Sequence, residues 1–432
     1  MKRFKLVKLA FAVLLLVVLT MSSVMYASPT EITMTCMAGL PYTEAMPKMV
    51  KAFEEKNPGI KVKIEYYPNP QILQITEVKL AAKSKTPDIL FTDVPLVSAY
   101  TLRGYLAPLD KYYKNSEKNQ WVPAAVKAVK VKNKIMAAPL NNSTLILFYN
   151  KKLFAEKGIA PLSKDPKKRL TYEQVVELAK KLTIDRNNDG NNDIWGFCFT
   201  QVNRTYQLLP FPQSLGAKVI SSDGLKTKGI INSPKWIKAF QFYQDLFNKW
   251  RVAPKGISSA ETVNFFKSGK LAMMLGVDYQ AKTIEETSNL DWDYAPCPYF
   301  AGGKPITATG SWCMGLNNYS ANKAAAVKFM RYLTTAPGCI EWFKADGHLS
   351  PNKKTLEYIV SHQDYQKFPL DIMKLANYEA AHTAVPRPVT PGYLEYDQTL
   401  TSAFEDIRNG SDVKKTLTNA ANKIDQMLLK YR

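Results

Sequence analysis

The densest local chemistry in this sequence lies in nine residues, Asp185-Arg186-Asn187-Asn188-Asp189-Gly190-Asn191-Asn192-Asp193. Side-chain oxygens at positions 1, 3, 5 and 9, a backbone carbonyl at 7 and glycine at 6 reproduce the first part of a Ca²⁺ loop. A hard cation takes clustered oxygens, and the glycine permits the sharp turn. Asp185, Asn187, Asp189, Asn191 and Asp193 are therefore the expected donors to a structural Ca²⁺ ion. Two positions depart from the pattern: position 12 is Gly196 instead of a bidentate glutamate, and position 8 is Asn192 instead of an apolar residue. The alternative is a polar Asx-rich turn leading into Trp195-Gly196-Phe197.

Motifs for covalent or redox chemistry are scarce. His348, His362 and His382 are the three histidines, and none forms a metal-binding pair by spacing. No GxSxG elbow, Walker loop or GxGxxG appears. Two catalytic carboxylates of a glycosidase need no fixed spacing, so a secreted carbohydrate-active enzyme remains the rival to a binding protein. The five cysteines are odd in number and contain no CxxC, which suggests neither a zinc cluster nor a disulfide framework. Cys297 and Cys313 are the least remote pair for a single bridge.

The elements that must carry these residues read as an α/β chain. Ile32 to Cys36 forms a strand, and Met46, Met49, Val50 and Phe53 repeat at helical spacing after it. Asn57-Pro58-Gly59 stops that helix, and Val62, Ile64 and Tyr66 alternate in a second strand. A helix-like stretch, Gln74 to Lys85, precedes a third strand at Asp88 to Phe91. This rhythm predicts a mostly parallel sheet covered by helices. Thr171 to Gln174 is a capping box opening a helix to about Lys181. Ser233-Pro234 opens another, with Trp236, Phe240, Tyr243 and Phe247 as its buried stripe. Trp236, Trp250 and Trp342 are expected in helices as core residues, and Trp292 in a strand.

The chain has 432 residues and a net charge of +21, an excess that would suit nucleic acid, anionic membrane or acidic ligands. The first residues redirect that reading. Lys2, Arg3, Lys5 and Lys8 precede an apolar run from Leu9 to Met21, and Met25-Tyr26-Ala27 offers a cleavage point before Ser28. This is the pattern of a secretory signal peptide over residues 1–27. Its removal takes four basic residues and leaves +17 on an exported chain, for which nucleic acid is not the expected partner. Most lysines, such as Lys180, Lys181, Lys323 and Lys328, fall on solvated helix faces.

Several segments, in order, resemble the extracellular sugar-binding solute receptors of ABC transporters, the family that includes maltose-binding protein. Pro87-Asp88-Ile89 with Asp93, followed by Gly104 to Asp110 (GYLAPLD), resembles the family's PDI…D…GxLxPLD stretch. Ala138-Pro139, Phe148-Tyr149-Asn150-Lys151, Leu153-Phe154 and Gly158-Ile159 resemble P…YNKxLF…GI. Phe266 to Met273 resembles FxxGKxAM, Gly310-Ser311-Trp312 stands at GGW, and Gly347 to Pro351 resembles the GxxxP turn.

The resemblance implies a two-lobed, periplasmic-binding-protein-like fold with discontinuous lobes and a ligand cleft between them. Residues 28–143 plus 312–352 would form the N-terminal lobe, and 144–311 plus 353–432 the C-terminal lobe, with crossings near Asn142 to Leu145 and near Trp312. It further implies an exported monomer that closes on a carbohydrate and presents it to a membrane permease, with no catalytic residues; a receptor for a non-sugar solute, such as a phosphate ester or polyamine, is the alternative within that reading. Sugar binding needs an aromatic platform and planar polar groups that pair with hydroxyls. By family position Trp312 and Tyr279 are the expected platforms, with Asp278 as a hydroxyl acceptor. Tyr42 and Asp93 follow the first and third strands, where open α/β sheets bind ligands, and Asn142, with Asn141 and Ser143, borders the first crossing. Each has a structural alternative as a core, capping or turn residue. Arg204 and Arg387 are candidates to pair an acidic sugar, the motive being the charge excess.

Overall fold

The computed structural model describes residues 28–68, 71–200, 202–287 and 289–432. The signal-peptide segment lies outside the described residues. Among them no helix is long and apolar enough to cross a membrane.

Among the described residues, nine strands build the two larger sheets: β1 (Thr30–Met37), β2 (Ile60–Tyr67), β3 (Ile89–Asp93), β4 (Ala137–Ser143), β5 (Leu145–Asn150), β6 (Trp195–Phe199), β7 (Leu271–Val277), β8 (Trp292–Pro296) and β9 (Gly310–Leu316). The first sheet runs β2-β1-β3-β9-β4 and the second β8-β5-β7-β6. β1 pairs in parallel with β2 and β3, as the opening rhythm predicts. The expectation of a mostly parallel sheet ends there. β9 is antiparallel to both β3 and β4, and in the second sheet only β6 and β7 are parallel. The cause is the crossing: a strand that arrives from the other sheet needs no helical return and can enter in the opposite direction.

The helices used below are α1 (Tyr42–Lys56), α2 (Tyr172–Leu182), α3 (Pro234–Asn248), α4 (Lys323–Thr334), α5 (Gly338–Asp346), α6 (Tyr393–Arg408) and α7 (Val413–Leu428). The capping box of α2 is formed, with Thr171 Oγ1 accepting from the Gln174 N–H and Gln174 Oε1 accepting from the Thr171 N–H. All four stripe residues of α3 are buried. Trp250 departs from its expected place: it lies beyond the end of α3 and is half-buried, its edge against Phe242.

Two hydrophobic cores follow the two sheets. One draws on residues 32–140 and 313–342, the other on 145–308 and most of 343–428, with Tyr393 at the head of α6 packed into the first. Asp88 locks the first sheet: it accepts from the Thr33 N–H and hydroxyl and from Ser320 Oγ. The five cysteines are all buried and unpaired, Cys297 and Cys313 among them.

Candidate ligand cleft between the sheets

The seam between the lobes is built where the chain crosses. β4 ends and β5 begins around the single residue Thr144, which is fully buried. The return crossing runs from Thr307 into β9, and Leu145 N–H donates to Thr307 Oγ1 at 2.9 Å, tying both crossings together. Gly310 is required here. A Cβ at that position would lie 2.6 Å from Ser143 Oγ and 2.8 Å from the Tyr206 hydroxyl, closer than real contacts allow.

Strand geometry then places several expected site residues on one face. Phe91 and Asp93 share a face of β3 because successive side chains alternate. Trp312 lies opposite Asp93 on one side and Asn141 on the other. The register slips between Trp312 and Cys313, so β4 carries a bulge at Leu140, a device that re-aims side chains at strand ends. The half-buried Trp312 ring stacks on Phe91 at 4.7 Å and 17°. Tyr42, the first residue of α1, meets Phe91 edge-on at 5.2 Å. Asn141 joins the two ends of this strip: its Nδ2 donates to the Tyr42 hydroxyl at 3.1 Å and its Oδ1 accepts from the Trp312 N–H at 3.1 Å.

The opposite wall comes from the turn after β7. Asp278 is fully buried, its N–H donating to Thr144 O and its Oδ1 accepting from the Tyr279 N–H. Its Oδ2 has no hydrogen-bond partner. Between the walls stands His348, from the turn after α5. Its ring lies 4.1 Å from Tyr279 and 5.2 Å from Tyr42, its Nε2 is 3.3 Å from the Tyr42 hydroxyl, and its Nδ1 is 3.1 Å from Asp346 Oδ2. Burial pushes the Asp278 carboxyl up to about 7, with His348 opposing it. Burial likewise raises Asp346, while His348 and Asn141 pull the other way.

Asp93 has a fixed partner. Arg387 holds it with both guanidinium nitrogens, one of the two contacts at 2.6 Å, and also reaches the Tyr393 hydroxyl at 3.3 Å. The Arg387 guanidinium carbon lies 5.7 Å from the Tyr206 ring centre and 5.8 Å from that of Tyr393. Burial alone would depress this guanidinium, and the Asp93 carboxylate more than reverses the effect. Asp93 is not the cap of the following helix, whose N-cap is Pro95.

Five of the six expected site residues, Tyr42, Asp93, Asp278, Tyr279 and Trp312, thus line one seam. Asn142 serves the crossing itself: its N–H donates to Leu349 O, and its Oδ1 accepts from the Ser143 N–H and Thr309 Oγ1. The neighbouring Asn141 belongs to the strip instead. Sequence reasoning gave no role to Phe91, Tyr206, Asp346 or His348. The Gly347 to Pro351 turn was the signal for His348; nothing local marks the others.

The Asp185–Asp193 loop is remote in character. Asp185 Oδ2 accepts from the Gly190 N–H, Asp189 Oδ1 from the Asn191 N–H, and Asp193 Oδ2 from the Arg186 N–H. Asn187 Nδ2 donates to Asp189 Oδ2, and Arg251 donates to Gly190 O. One acceptor is left over: Asp185 Oδ1 is buried and has no hydrogen-bond partner. Among the described residues no group of three or more His, Cys, Asp or Glu side chains converges on a metal position.

The chain is similar to several binding proteins. A putative binding protein of Brucella abortus is 26% identical over 398 residues, covering 90% of each chain. The sn-glycerol-3-phosphate-binding periplasmic protein of Pectobacterium atrosepticum is 26% identical over 242 residues, 54% of this chain and 52% of that one. Among solved structures, an ABC substrate-binding protein of Listeria monocytogenes in complex with cycloalternan superposes with a TM-score of 0.80 at 22% identity, covering 93% of this chain and 99% of that one. That likeness shows the two-lobed fold. Residues 40–338 match the model of the bacterial extracellular solute-binding proteins, and the chain belongs to that family.

Proposed function

We propose that this protein is the exported, non-catalytic substrate receptor of an ABC importer, binding an oligosaccharide at the seam and passing it to a membrane permease. One observation carries the reading: the strip Tyr42–Phe91–Trp312, flanked by Asp93 and Asn141, is joined through the His348 ring to Tyr279, beside Asp278, on the other side of the seam. Within this strip Tyr42 and Phe91 are buried, and the half-buried Trp312 is the ring a sugar can stack on, beside the planar polar groups that a hydroxyl rim needs. The cycloalternan complex of the similar Listeria protein supports a saccharide as the ligand. Closure around it would proceed by hinge motion at Thr144 and the neighbouring crossings. Export by a cleaved signal peptide and a monomeric state belong to the same reading.

The test is titration calorimetry of the mature protein against neutral oligosaccharides such as maltotriose and mannotriose. The expected outcome is saturable one-to-one binding, with the sugar recovered intact. Shortened products, lost on substituting one carboxylate, would favour the glycosidase instead.

A second reading concerns the Asp185–Asp193 loop, which we propose as a structural Ca²⁺ site. The buried, unpartnered Asp185 Oδ1 supports it, as an acceptor that nothing in the loop satisfies. Asp185, Asn187, Asp189, Asp193 and the Asn191 carbonyl would hold the ion. Calorimetric titration of chelator-treated protein with Ca²⁺ is expected to give heat and a higher melting temperature; neither would appear if the loop is a plain Asx turn.

A further inference from the structure

The charge of the chain and the charge of its cleft point in opposite directions. The protein carries +21 overall, yet the seam gathers three carboxylates, Asp93, Asp278 and Asp346, around one guanidinium, Arg387, and one imidazole, His348. The disposition of donors and acceptors is equally uneven. Arg387 is already committed to Asp93 through two nitrogens and to Tyr393 through a third contact. Its side chain is 10% exposed and that of Asp93 13%. Asp278 Oδ2, by contrast, is a fully buried acceptor with no partner.

We infer that Asp93 and Arg387 form the specificity pair that restricts this cleft to uncharged, hydroxyl-donating ligands and excludes anionic ones. The inference rests on the sugar-receptor reading for the place of the site and concerns only the charge the site accepts. Asp93 acts as a built-in occupant of what would otherwise be an anion site: a guanidinium between two tyrosine rings, with a hydroxyl in reach. A ligand carboxylate or phosphate could use Arg387 only by displacing Asp93. That would strand a nearly buried carboxylate without its counter-ion, which is far costlier than breaking an exposed pair. A hydroxyl of a neutral sugar avoids this conflict and can pair with Asp278 Oδ2, which no protein group satisfies. Rejection of this kind is specificity by an unfavourable alternative. The arrangement also reverses the role expected for Arg387: it orients Asp93 in place of pairing an acidic sugar.

The experiment compares the wild-type mature protein with Asp93→Ala, Asp93→Asn and Asp93→Ala/Arg387→Gln, using inorganic phosphate, trigalacturonate and maltotriose as probes. Wild type is expected to bind maltotriose and to show no saturable response to phosphate or trigalacturonate. Asp93→Ala should gain phosphate binding, read by calorimetry and melting temperature, at least about tenfold tighter than wild type. The double variant should lose that gain, and Asp93→Asn, close in shape, covers the case in which alanine fails to fold. A folded Asp93→Ala or Asp93→Asn with no gain overturns the inference. So does wild-type binding of phosphate or trigalacturonate that Arg387→Gln or Arg204→Ala abolishes. Failure of the sugar reading would look different: wild type would bind no saccharide, neutral or acidic, while the phosphate measurements would still report on the pair.

Discussion

The Asp185–Asp193 loop and the interlobe cleft are both built from carboxylates, amides and turns, yet they follow opposite logics. In the loop, nine consecutive residues supply donors and acceptors to one another, so that Asp189, Asp193 and Asp185 Oδ2 are each held by a local backbone N–H. In the cleft, the carboxylates and the amide arrive from four separate places: the ends of β3, β4 and β7, and the end of α5. A local network is legible because spacing alone brings its members together. A convergent site depends on register, and shifting one strand by a single residue would send its side chains to the other face.

The sharpest way to break this comparison is Trp312→Ala. If the strip is the binding platform, removing the ring that lies on Phe91 should weaken oligosaccharide affinity by roughly 100-fold, or about 3 kcal/mol. Titration calorimetry reads the loss, and the melting temperature should fall far less, because Trp312 is only half-buried. An unchanged affinity would move the ligand away from this strip.

Asp278 gives the next effect, and its sign can be worked out. Burial holds its folded-state pKa near 7, above the ordinary 3.8, so the folded chain keeps a proton that the unfolded chain has already lost. Stability therefore declines as pH rises from about 4 towards about 7, and levels off beyond. Asp278→Asn should remove that slope. We expect it to gain roughly 1–2 kcal/mol on wild type between pH 5 and pH 8, a reduced value because Asp278 is electrostatically coupled to the buried Asp346. Denaturant melts at the two pH values test it. A wild-type stability that rises over this interval with the same slope as Asp278→Asn would show that the carboxyl is already ionised within the fold.

What the sequence disclosed divides along the same line. The capping box at Thr171, the stripe on α3 and the early parallel strands depend on neighbours within a few residues, and each appears as expected. Trp312, Tyr279 and Asp278 were reached through family position, which carries register information that periodicity lacks. The charge of Arg387 is visible in the sequence but its partner is not, because Asp93 lies 294 residues away. Phe91 looked like one more apolar residue of a buried strand. Only its pairing beside Trp312 gives it a second role.

The smallest effects belong to the loop, and they sharpen the comparison from the other side. Gly190 has φ +86°, and nothing lies within 4 Å of where a Cβ would be, so the cost of Gly190→Ala comes from the backbone alone. A residue forced into the left-handed region should lose about 1 kcal/mol of stability, with no change in sugar affinity. If the loop holds Ca²⁺, the ion should raise the melting temperature of wild type and leave Asp185→Ala unmoved, since that variant loses both the buried Oδ1 and the acceptor of the Gly190 N–H. An altered sugar affinity in either variant would mean that the loop and the cleft are coupled, and that the local network does more than close its own turn.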